Sequence, residues 1–96
     1  MAPILVKADA GQPLTEEEAY QLDTWLHYVF SNWEQAYRSH NNGLLEDEVW
    51  QAWDAFYRWN MELDYFRDAW VNNPIEGYSA SFMRYMEEEV LQGSPP

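Results

Sequence analysis

Ala19, Leu22, Leu26, Val29, Phe30, Trp33 and Tyr37 recur at steps of three and four residues. That spacing draws one apolar stripe along an α-helix of roughly seven turns, not the alternation of a strand. Trp25, Tyr28 and Ala36 widen the stripe beyond what one thin neighbour covers, so the chain must supply more helices. The helix has a defined start in "LTEEEA". Thr15 caps free backbone N–H groups, Glu18 completes a capping box, and Glu16 and Glu17 favour the positive end of the helix dipole.

The segment "NNGLLEDEVWQAW", residues 41–53, reads as the corner that brings in the second helix. Gly43 suits the left-handed position just past a helix end. Leu44 and Leu45 are expected to anchor the turn, and Glu46, Asp47 and Glu48 to open the next helix. Val49, Trp50, Trp53, Phe56 and Tyr57 follow at helical spacing and are predicted to face back onto the first helix. The apolar face then drifts, and a break is expected near residues 60–64. Asn72, Asn73, Pro74 and Gly77 predict a loop. Ser79 caps a last helix carrying Phe82, Met83, Met86 and Val90, stopped by Gly93 and two prolines. Residues 1–13, with Pro3, Gly11 and Pro13, read as an extended arm; 14–92 form a single helical domain, and 93–96 a tail. The fold class is all-α: a small antiparallel helical bundle of three to four helices.

Charge narrows the function. Seventeen acids against five bases leave a net charge of −12. Such a field repels phosphate backbones and anionic headgroups, which argues against direct nucleic-acid or membrane-surface binding and leaves room for a basic protein partner. No apolar run approaches the ~18 residues of a membrane span. There is no cysteine, hence neither a disulfide nor a thiolate metal site. A soluble, cytoplasmic protein is the expectation.

Motifs of chemistry are weak here. Asp23 and His27 stand four apart and could share a helix face, but two ligands do not make a metal site; a surface ion pair is the simpler reading. His40 falls in the last turn of the first helix, where a cationic ring acts as a cap. Glu87, Glu88 and Glu89 point in different directions on a helix and read as a solvated run, not a calcium loop. No glycine-rich phosphate loop, nucleophile elbow or paired carboxylates at a fixed separation is present. The sequence therefore predicts no enzyme, no cofactor and no metal.

The ordered segments "PLTEEEAYQLDTWLHYVFSNWEQAYRSHNNGLLEDEVWQAW" (13–53), "FRDAWV" (66–71) and "YSASFMRYMEEEV" (78–90) resemble a group of uncharacterised bacterial helical proteins. Members of that group share a W-E-N-x-Y-like segment, then G-L-L-D-E-E-x-W, a tryptophan pair and a Y-S-P-x-F-like close. The matching residues are Trp33, Glu34 and Tyr37, then Gly43 to Trp50, Trp70, and Tyr78, Ser79 and Phe82. Only one tryptophan of the pair is kept, since Val71 follows Trp70, and Met61 to Asp64 stand where the group has a proline. Many members carry an N-terminal membrane helix that this sequence does not show. The resemblance implies an all-helical fold and no particular activity.

Six tryptophans, seven tyrosines and four phenylalanines exceed what so small a bundle can bury. The surplus predicts a noncatalytic interaction domain that self-associates as a homodimer, with Trp25, Tyr28, Trp53, Tyr57 and Trp59 as candidate contacts. The alternative is an acidic decoy that mimics nucleic acid and binds a basic DNA-binding protein. It needs a row of carboxylates, to which Glu46, Asp47, Asp54 and Asp68 could contribute.

Overall fold

A computed structural model of the protein describes residues 1–72 and 77–91. These residues form five α-helices and no strand: α1 (Ala2–Asp9), α2 (Glu16–Asn41), α3 (Asp47–Asn60), α4 (Asp64–Asn72) and α5 (Ala80–Tyr85). A π-helical segment, Met86–Leu91, continues α5 without a break. The loop expected beyond Asn72 falls at 73–76, outside the described residues, as do Gly93 and the tail at 93–96.

α2 is the axis of the bundle, touching α1, α3, α4 and α5. Its capping box forms as the sequence predicts: Thr15 Oγ1 accepts from Glu18 N at 3.1 Å, and Glu18 Oε1 accepts from Thr15 N at 3.0 Å. Leu22, Leu26, Phe30, Trp33 and Ala36 are its buried stripe. Phe30 and Trp33 are wholly enclosed, with Met61, Phe66, Phe82, Met86 and Val90 closing the core around them.

The antiparallel corner between α2 and α3 is a Schellman stop. Gly43 N donates to His40 O at 3.1 Å, and Leu44 N to Ser39 O at 2.8 Å. Gly43 has φ 75°, the left-handed conformation this hydrogen-bond pair demands. Ring pairs then fix the register, Trp33 with Tyr57 at 5.3 Å and Tyr37 with Trp50 at 5.9 Å. Leu44 departs from expectation: it is 81% exposed. The two hydrogen bonds hold the turn without it, and only Leu45 is partly buried. A tight turn over 61–63 separates α3 from α4, where the sequence pattern drifts, and Met61 fills its inner side.

The extended arm does not exist. Residues Ala2–Asp9 are helical. Pro3 lies in the first turn, where a missing N–H costs nothing, and Gly11 (φ 70°) lies just past the helix end. Ile4 is buried, and Lys7 Nζ pairs with Glu18 Oε2 at 2.8 Å, tying α1 to the start of α2.

A Cβ at Gly43 would meet nothing within 4 Å, so Gly43→Ala strains only the backbone. We expect a loss of about 1 kcal/mol in urea unfolding, and a smaller loss for Gly43→Asn. Unchanged stability for the alanine variant would contradict the left-handed turn.

Candidate functional site

α3 has two unlike faces. Its inner face carries Trp50, Asp54, Tyr57 and Arg58. Asp54 is the hub: Oδ1 accepts from Trp33 Nε1 at 3.0 Å and from the Tyr85 hydroxyl, while Oδ2 accepts from Arg58 Nε at 2.8 Å. Arg58 Nη2 donates to the Tyr85 hydroxyl at 2.9 Å, Nη1 donates to Glu89 O at 3.3 Å, and the guanidinium lies 5.5 Å from the Tyr85 ring centre. One carboxylate thus joins α2, α3 and α5. The Asp54 side chain is only 13% exposed, and all its neighbours are donors.

The outer face is apolar and uncovered. Val49 is 36% exposed, Trp53 49%, Phe56 58% and Trp59 65%, and Ala52 lies among them. Val49, Ala52, Phe56 and Trp59 succeed one another at steps of three, four and three, the seam spacing of a helix that packs along another helix. Trp53 flanks the seam and walls a groove of about 440 Å³ with Leu45, Tyr57 and, on α2, Asn32, Ala36 and Ser39. With aromatic side chains of ~150–250 Å² each, the seam and Trp53 expose roughly 400–500 Å² of apolar surface.

The candidate contacts divide accordingly. Trp53 and Trp59 lie on this face. Tyr57 does not: it is 9% exposed and stacks on Trp33, because the register of the α2–α3 pair turns it inward. Of the residues expected to face α2, Trp50 and Tyr57 do so, Trp53 stands half exposed at the edge of the groove against α2, and Val49 and Phe56 are exposed on the outer face. Trp25 and Tyr28 belong to a separate surface on the N-terminal half of α2, beside Met1, Tyr20 and Thr24. Tyr28 is 70% exposed there and Trp25 partly buried.

The remaining polar candidates are committed elsewhere. His40 Nε2 lies 2.7 Å from Asp47 Oδ1, and its ring stacks on Trp50 at 5.4 Å, so it clasps the corner rather than only capping α2. His27 packs against the Tyr78 ring at 5.9 Å. Among the described residues the ion pairs are Lys7–Glu18 and Arg58–Asp54, with His40 and Asp47 in hydrogen-bond contact; Asp23 and His27 do not form one. Glu34 Oε2 accepts from Ser79 N at the start of α5. No group of three metal-ligating side chains converges among the described residues. No described helix is long and apolar enough to cross a membrane. Of the four acids offered for a decoy row, Asp54 is turned inward and Asp47 is paired with His40.

Enclosure raises the hydroxyl pKa of four tyrosines, Tyr57, Tyr65, Tyr78 and Tyr85, the last two most. Burial pushes the Tyr78 hydroxyl from 10.0 to about 12, with the nearby Glu34 charge adding to the shift. Burial and the hydrogen bond to Asp54 raise Tyr85 further. Sequence reasoning missed the Asp54 hub; the Asp54–Arg58 spacing of four was its one visible trace. No family model, curated protein or solved structure matches the chain, so the functional reading rests on this geometry.

Removing the hub leaves a buried indole N–H and a guanidinium without their acceptor. Because Arg58 keeps some solvent contact, Asp54→Ala is expected to destabilise by about 2–3 kcal/mol, and Asp54→Asn by less. Equal stability of Asp54→Ala and the parent in urea would remove the hub from the account. Alkaline titration provides a second check. A tyrosine whose pKa is raised on folding contributes stability that is complete below the unfolded value of ~10 and is lost as pH climbs through its folded value. Absorbance at 295 nm should show Tyr78 and Tyr85 ionising near pH 12 or above, or together with unfolding. All seven tyrosines titrating near pH 10 in folded protein would contradict it.

Proposed function

We propose that the protein is a noncatalytic protein-interaction domain that docks a helix on the outer face of α3. When no other helix is offered, that face pairs two copies weakly. The seam Val49–Ala52–Phe56–Trp59 carries this reading. It is continuous, lies within one unbroken helix, and has the spacing that lets side chains of a second helix interleave. Its area matches the largest apolar patches of monomeric proteins, which commonly mark interfaces. It is also about half of the ~800 Å² that each partner contributes to a stable complex. A homodimer built on it alone is therefore weak.

Sedimentation equilibrium tests the reading. The expected result is a monomer of 11.5 kDa at low salt and low concentration, with dimer appearing at moderate salt as the −12 charges are screened. Trp59→Ser and Phe56→Ser should lower that association about tenfold or more while leaving the helical circular dichroism intact, since both side chains are mainly exposed. A dimer indifferent to both substitutions would place self-association on another surface, with the Tyr20–Tyr28 side of α2 next to be tried.

A further inference from the structure

The charges around the α3 seam say what kind of helix fits it best. Residues 49–60 contain two charges, Asp54 and Arg58, and these pair with each other at 2.8 Å on the inner face. The outer face is thus electrically blank over ~18 Å, at 1.5 Å per residue. Acids stand at both ends of it: Glu46 and Glu48 before the seam, Glu62 and Asp64 after it, all exposed. The helix dipole accounts for Glu48 and Asp64, each in a first turn. Glu62 follows the negative end of α3, where a carboxylate does nothing for that helix.

A second copy is a poor occupant of such a surface. Whether two α3 helices run parallel or antiparallel, acidic ends meet acidic ends. An anionic lipid surface meets the same repulsion. We propose, building on the reading of α3 as a docking face, that its preferred occupant is an amphipathic helix of another protein. That helix is about three to four turns long, apolar at steps of three and four, and carries lysine or arginine at both ends. Its apolar side chains interleave with Phe56 and Trp59. Its basic ends lie against Glu46 and Glu48 at one end of the seam and Glu62 and Asp64 at the other. Charge complementarity of this kind fixes the choice of partner and speeds encounter, while the apolar seam supplies most of the affinity.

The test uses synthetic helical peptides. One has leucines at steps of three and four with two lysines at each end, and its twin has glutamates at the ends. A third scrambles the lysine peptide so that it has no apolar stripe. Fluorescence anisotropy against the full chain should show the lysine-ended peptide binding at least about tenfold tighter than either control. Raising salt from low to moderate should weaken it severalfold. Trp59→Ser should abolish that binding, and the triple variant Glu46→Gln, Glu48→Gln, Glu62→Gln should erase the preference for lysine over glutamate ends.

Equal binding of the lysine and glutamate peptides would overturn the proposal, and so would equal binding of the scrambled peptide. A Trp59-dependent dimer that the lysine peptide cannot displace would also overturn it, giving the face to a second copy and leaving α3 as a docking surface. If neither the peptides nor self-association respond to Trp59→Ser, the docking reading of α3 fails as well.

Discussion

The indole N–H of Trp33 is the constraint from which the arrangement of this bundle follows. Trp33 lies at the centre, fully enclosed and in ring contact with Phe30, Tyr57 and Phe82. A buried donor must find an acceptor or lose on the order of 1–3 kcal/mol. Asp54 is that acceptor, and a carboxylate brought so far inward needs a cation, which Arg58 supplies one turn along the same helix. Tyr85 closes the circuit from α5. Each polar group solves the burial problem created by the one before it, and together they join three helices through a single carboxylate.

That chain of necessity also fixes the rotation of α3. At 3.6 residues per turn, Val49, Ala52, Phe56 and Trp59 lie about 140–220° around the helix from Asp54. With Asp54 pointing at Trp33, these four have nowhere to go but outward. Trp50, Tyr57 and Arg58 lie within about 60° of Asp54 and turn inward with it. The sequence read by apolar periodicity alone cannot make this division, because α3 carries large apolar residues on both sides. A buried acid was the deciding residue, and an acid is what pattern reading assigns to solvent. Periodicity thus sets Phe56 and Tyr57 alike against α2 and also offers Tyr57 as a surface contact, whereas in the structure Tyr57 alone is enclosed, against Trp33, and Phe56 is exposed. Other features were legible because they depend on local backbone chemistry: the Thr15–Glu18 capping box, the Gly43 stop, the turn after Asn60 and the Ser79 cap. α1 is hidden in the sequence for a related reason. Pro3 resembles a breaker until its position in the first turn is known, and that position depends on Ile4 finding the core.

The π-helical segment after α5 belongs to the same solution. Phe82, Met86 and Val90, spaced by four, are all essentially buried. In a regular α-helix, residues four apart drift around the axis, so the third would begin to leave the core. The wider winding from Met86 to Leu91 returns Val90 to the line of Phe82. It also leaves the Glu89 carbonyl within reach of Arg58, at 3.3 Å. Glu87, Glu88 and Glu89 remain in solvent, so the strip that closes the core carries part of the acidic surface on its back.

Folding and the proposed docking therefore draw on different residues of one helix. Trp50, Asp54, Tyr57 and Arg58 hold α3 in place, and replacing them disturbs the core. Val49, Phe56 and Trp59 contribute little to the folded monomer, because an exposed side chain gains almost nothing over its unfolded state. Serine or glutamate at those positions would suit an isolated acidic bundle equally well and would remove an aggregation liability. A small domain can bury only about 60% of its unfolded surface, which explains some exposed aromatics. It does not explain why Val49, Phe56 and Trp59 stand at seam spacing on one uncharged face, bounded by acids, of a chain whose surface is otherwise strongly negative. A surface that folding does not require, and that solubility disfavours, is the ground on which the proposed docking of a second helix stands.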